Sequence, residues 1–165
     1  MKRRRLEPTL FEPIPPKVYL FDTSAWLNIE SCPNKENIWA LVGRLVDEGR
    51  ICTCHEVIPE LRDDPVYEPR IKPMEKTLLA GCPNSSDIAF LLRVGRITHD
   101  HTSMSKATSA KTPADPFVVA LAQAEGYTVV ADESKKRPSR KIPGVCAKLK
   151  IPCITLKHFI KDEVK

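Results

Sequence analysis

Short apolar runs alternate along the chain with longer amphipathic stretches, a pattern that predicts strands followed by helices. Val18-Tyr19-Leu20-Phe21 is rich in strand formers and stops at Asp22-Thr23-Ser24, residues that cap a helix. From Asn34 to Gly49 the apolar residues Ile38, Trp39, Leu41, Val42, Leu45 and Val46 recur at spacings of three and four, which predicts a helix ended by Gly49. Arg50 to Cys54 reads as a second strand and HEVIPELRDD as helical around its proline, while the stretch from there to Pro73 shows no usable period. Ser85-Ser86-Asp87 caps a helix through Leu92. Thr98 to His101 reads as loop, and so does the polar segment 102–112. Pro113 to Glu125, with FVVALA inside it and Gly126 after it, predicts a well-defined helix. Tyr127 to Ala131 is a buried strand, Ile142 to Ala147 begins a short helix, Ile151 to Leu156 is a last strand, and His158 to Val164 is a terminal helix.

Strands alternating with helices imply a parallel sheet joined by right-handed crossovers, with helices on both faces. The predicted fold is therefore α/β, a three-layer α/β/α sandwich around a central parallel sheet. Such sheets bind ligands beyond the carboxyl ends of their strands. Acids stand at those ends: Asp22 after the first strand, Glu60 in the helix after the second, Asp115 in the first turn of the FVVALA helix, and Asp132-Glu133 after YTVVA. Each alone has an ordinary explanation as a helix-start residue, a solvated carboxylate or a turn former. Their shared placement does not, because a parallel sheet gathers these ends at one edge.

Composition narrows the setting. The chain has 165 residues, 42% hydrophobic and 28% charged, which suits one packed domain and excludes a wholly disordered or collagen-like chain. Its longest apolar run, Phe117 to Ala122, is far too short for a bilayer, and Glu and Pro interrupt any apolar leader region after Lys2 to Arg5. A cytoplasmic protein with no membrane partner is expected. The six cysteines include no C-x-x-C pair, so zinc-finger and thioredoxin spacings are absent. Residues 1–16 hold Pro8, Pro13, Pro15 and Pro16 and read as a basic, Pro-rich arm ahead of a single domain at 17–165. The 26 basic against 21 acidic residues give +5, concentrated at Lys2 to Arg5 and in the loop KKRPSRK at 135–141, which points to partners bearing phosphates.

Crowded carboxylates repel one another unless a cation neutralises them. All-oxygen ligands favour Mg²⁺ or Mn²⁺, ions that activate water and stabilise the leaving oxygen in phosphodiester hydrolysis.

The motifs around these acids resemble those of the PIN-domain superfamily, closest to the PIN-like DUF4411 family. YLFDTSAW is similar to the Asp-x-Ser start, VIPEL to the segment carrying the second acid, ADPFVVALA to the third, and VVADES to the fourth. The subfamily is indicated by RKIPGVCAKLKIPCITLKHFI, and the similarity spans about 17–162. The resemblance implies a PIN-like fold and a metal-dependent ribonuclease of toxin type. It implies Asp22, Glu60, Asp115 and Glu133 as metal ligands and catalytic acids, with Ser24 steadying a ligand or water. In that register Asp132 is the variable position, kept as an alternative ligand, and Ala131 replaces the usual Thr. RNA is the implied substrate and a small antitoxin protein an implied partner, while pairing of the chain with itself stays open.

Two other readings compete. A haloacid-dehalogenase-like phosphatase also puts an Asp after its first strand, but it needs a second Asp where Ser24 stands. A PIN-like module that binds RNA or protein without turnover is consistent with the Ala131 departure. Thr98-His99-Asp100-His101 and Cys54-His55-Glu56 hold metal-capable or nucleophilic side chains in spacings that complete no site, and no phosphate-binding glycine loop is present.

Overall fold

The computed structural model describes residues 15–84, 86–101, 113–132 and 141–164. Most of the Pro-rich arm, Glu133 and nearly all of the basic loop lie outside these residues.

Four parallel strands form the centre: β1 (Tyr19–Phe21), β2 (Ile51–Cys52), β3 (Thr128–Val130) and β4 (Cys153–Ile154), in the order β2-β1-β3-β4. Register is set by Tyr19 opposite both Ile51 and Thr128, and by Val130 opposite Ile154. Every residue of β1 and β3 is buried, which is why these strands read as unbroken apolar runs rather than alternating ones.

The chain steps one way from β1 to β2 and the other way from β3 to β4, so right-handed crossovers place helices on both faces. On one side α1 (Thr23–Ile29) touches α2 (Lys35–Asp47), α3 (Val57–Leu61) and α8 (Leu156–Glu163), and α2 also packs on α4 (Glu75–Leu78). On the other, α6 (Asp115–Glu125) lies between α5 (Ile88–Asp100) and α7 (Ile142–Leu149). Trp26, Phe21 and Phe159 are fully buried where α1, β1 and α8 meet. Gly49 and Gly126 end α2 and α6 with φ of 69° and 72°, a left-handed conformation that glycine adopts without steric cost.

The boundaries correct the sequence reading in three places. Helix α5 runs on to Asp100 instead of stopping near Leu92, so Thr98, His99 and Asp100 form its last turn and not a loop. The reason is burial: Phe90, Val94 and Ile97 recur at helical spacing and bury one narrow stripe, although Gly95 and two arginines dilute the pattern. The unassigned stretch before Pro73 folds as a π-helical turn, Tyr67–Ile71, followed by a 3₁₀ turn, Lys72–Met74. Of HEVIPELRDD, read as helical, only Val57–Leu61 forms a helix, and His55 and Glu56 lie in a turn beyond β2; Cys54 is buried, and burial pushes its thiol well above the ordinary range.

At the amino end of the sheet, α8 is clasped to the core. Glu163 accepts two hydrogen bonds from Arg50, at 2.8 and 2.6 Å, and one from the Tyr19 hydroxyl at 2.7 Å.

Candidate functional site

The site begins where β1 runs out. Asp22 keeps extended backbone angles, and its N–H donates to Val130 O at 3.0 Å, so the sheet ladder continues through it. Its carboxylate then caps α1. Oδ2 accepts from the backbone N–H of Ser24 at 3.3 Å and from the Ser24 hydroxyl at 2.9 Å. Asp22 is only 3% exposed. Burial pushes its carboxyl above the ordinary carboxylate range and the nearby Glu60 charge adds to this, against the opposing hydrogen bonds from Ser24 and the Thr23 and Ser24 amides.

Ser24 connects two strand ends. While donating to Asp22, its Oγ accepts from the backbone N–H of Asp132 at 2.9 Å. One turn along α1, Asn28 Nδ2 donates to Asp132 Oδ2 at 3.2 Å and to Asp132 O at 3.4 Å. Asp132, two residues beyond β3, is thereby held at both its amide and its carboxylate by a single face of α1.

Glu60 reaches the same edge from α3. Its Oε2 accepts from the Thr23 hydroxyl, and its Oε1 accepts from the backbone N–H of Ala114 at 3.1 Å. Ala114 directly precedes Asp115, the first residue of α6, which is half-buried and followed by Pro116. Proline suits that first turn, where its missing N–H would have had no helical partner. Thr53, buried beyond β2, donates its hydroxyl to Phe21 O at 2.8 Å and satisfies the end of β1.

Asp22, Glu60 and Asp132 are thus joined through hydroxyls and amides of α1, with Asp115 one residue from a Glu60 contact. Glu133, the fourth acid of the sequence reading, lies outside the described residues, as does the basic loop except for exposed Lys141. Two members escaped the sequence reading: Thr23, which holds Glu60, and Asn28, which holds Asp132. Asn28 carried a usable signal, since it stands one helical turn after Ser24 on the helix that Asp22 caps.

The oxygen donors of the site, carboxylates, hydroxyls and the Asn28 carboxamide, fit a hard cation in kind. Among the described residues, however, no three His, Cys, Asp or Glu side chains close into a group able to hold a metal ion. Beside Ala131 a groove of about 410 Å³ opens at the ends of β3 and β4, lined by Pro143, Ile154, Thr155 and His158. No helix among the described residues is long and apolar enough to cross a membrane.

The profile of a family described as a domain of unknown function (DUF4411) matches residues 19–164. Comparison with curated proteins finds no match.

Proposed function

The chain belongs to the DUF4411 family, and we propose that it is a metal-dependent ribonuclease of PIN type that hydrolyses phosphodiester bonds. One observation carries the reading: a carboxylate 3% exposed, Asp22, is kept beside a second acid, Glu60, at the carboxyl edge of a parallel sheet. Holding an acid there raises the cost of its charge, a cost that a bound cation would offset.

Asp22, Glu60, Asp115 and Glu133, with Asp132 as the alternative fourth ligand, would hold Mg²⁺ or Mn²⁺, which when bound supplies an activated water and charge neutralisation at the phosphate. The chain's own residues do the positioning. Ser24 fixes the Asp22 carboxylate against rotation, and its bond to the Asp132 amide sets the distance between the ends of β1 and β3. Thr23 and the Ala114 amide orient Glu60. A single strand would approach along the groove beside Ala131, next in sequence to Asp132, and the basic segment 135–141 would supply phosphate contacts. A nuclease of this kind harms its own cell unless restrained, so the reading includes a small protein inhibitor that blocks the acids.

The test is cleavage of RNA by the purified full chain with and without Mn²⁺. Turnover that depends on Mn²⁺ and is lost in Asp22→Asn supports the reading; no Mn²⁺-dependent turnover overturns it. A second reading, a PIN-like binding module without turnover, is favoured by the occupation of both Glu60 oxygens by Thr23 and Ala114. It predicts RNA or protein binding that survives Asp22→Asn.

A further inference from the structure

Strand β4 stands last in the order β2-β1-β3-β4, and its residues Cys153 and Ile154 are only half-buried. Folded proteins commonly cover the outer strand of a sheet with a helix or a loop. The groove of about 410 Å³ runs along this strand, with Ala131, Pro143 and Ile154 as apolar lining and Thr155, His158 and Asp162 along its α8 side. It therefore follows α8 from its N-cap, Thr155, at the carboxyl edge of the sheet, to Asp162 near the amino edge, where the neighbouring Glu163 meets Tyr19.

The chain enters the domain at that amino-edge end. Lys17, two residues before β1, places its Nζ 3.5 Å from Asp162 Oδ2, and Pro15 and Pro16 ahead of it are exposed. An exposed pair of this kind adds little stability, but it fixes where the arm begins, beside the mouth of the groove. Ahead of Pro15 the sequence carries Leu10, Phe11 and Ile14 between Pro8 and Pro16. Extended polyproline-type backbone rises about 3.1 Å per residue, so the five residues from Leu10 to Ile14 span about 15 Å. Thr155 and Asp162 are seven positions apart, about 10 Å along the helix. The segment is long enough to line the groove, and its prolines lower the entropy lost on ordering it. The charges agree. Asp162 is matched by Lys17, and the other exposed ionisable side chains of α8 are the bases Lys157, His158 and Lys161, while the segment brings Glu12. Lys2 to Arg5 then extend past Ala131 toward the acidic edge at Asp132.

We propose that the groove along β4 is the seat of the chain's own N-terminal arm, with residues 10–14 filling it in cis. On the ribonuclease reading a single strand must displace the arm to reach Asp132; the docking itself stands without that reading.

Hydrogen–deuterium exchange of the full chain, read by mass spectrometry, tests it. In the double variant Leu10→Asp, Phe11→Asp the amides of 153–160 exchange at least threefold faster than in wild type, while those of α2 keep the wild-type rate. A synthetic peptide of residues 7–16, added to that variant at millimolar concentration, restores slow exchange, and a peptide carrying the same two Asp does not. Protection in wild type is independent of protein concentration, as a contact within one chain requires. Equal exchange at 153–160 in wild type and variant, or no rescue by the peptide, overturns the proposal. Protection that grows with protein concentration also overturns it and assigns the groove to the arm of a second copy. No RNA or metal enters the measurement, so its failure is distinct from failure of the ribonuclease reading.

Discussion

The Ser24 hydroxyl stands 2.9 Å from the Asp22 carboxylate and 2.9 Å from the backbone nitrogen of Asp132. One small side chain therefore couples the ends of β1 and β3, the two central strands, and does so at the most buried acid of the molecule's described part. A hydroxyl suits this place because it donates to one group while accepting from the other.

Ser24→Ala removes both bonds at once. The Asp132 amide loses its partner and Asp22 loses a donor, so unfolding in urea is expected to become easier by about 1–3 kcal/mol. Any RNA cleavage should fall with it, since the carboxylate is no longer held. Equal urea midpoints for variant and wild type would refute the coupling.

Asp22→Asn has an effect on stability whose sign follows from its raised carboxyl. A group that binds its proton more tightly when folded than when unfolded makes the fold lose stability as pH rises from the unfolded value through the folded one. At neutral pH without divalent metal, the Asp22 carboxyl is thus a liability, and Asn, able to keep the Ser24 contact, should raise Tm. At acid pH, below both values, the difference should disappear. Added Mn²⁺ should stabilise wild type and leave the variant unmoved, by about 2.7 kcal/mol at a hundredfold excess over Kd. Thermal melts at three pH values, with EDTA or Mn²⁺, read all of this.

The clasp at the opposite end of the sheet has the reverse pH dependence. Hydrogen bonds from Arg50 hold the Glu163 carboxyl below the ordinary range, with the Tyr19 hydroxyl helping. A lowered acid contributes stability that is present above its unfolded value and lost as pH falls through the folded one. Glu163→Gln is expected to cost about 1–3 kcal/mol at neutral pH, with the gap to wild type closing in acid. Chemical denaturation at pH 7 and at acid pH compares the two.

Binding of RNA should depend on salt through the segment 135–141. Neutralising Lys135, Lys136, Arg137, Arg140 and Lys141 is expected to weaken binding to all sequences alike. Each lost phosphate contact should flatten the log–log salt dependence by about 0.7 on a single strand. Fluorescence anisotropy at several salt concentrations measures the slope, and an unchanged slope assigns these residues to a solvated loop.

Much of the architecture was legible in the chain because its causes are local. Buried parallel strands such as Tyr19–Phe21 and Thr128–Val130 announce themselves as short apolar runs, and α2 and α6 by their apolar period and the glycines that stop them. The strand-end positions of Asp22, Glu60, Asp115 and Asp132 follow from the same pattern. What the chain alone does not contain is the set of partners that meet across long separations. That Thr23 takes Glu60, that the Ala114 amide takes its other oxygen, and that Ser24 and Asn28 take Asp132 depend on strand order β2-β1-β3-β4, which brings residues 37 to 108 positions apart within hydrogen-bond reach. The length of α5 was hidden for a related reason: its buried stripe of Phe90, Val94 and Ile97 is narrow, and only α6 packing against it shows which residues needed covering. Local preference sets where elements form, whereas burial against distant elements decides how far they extend and which polar groups they satisfy.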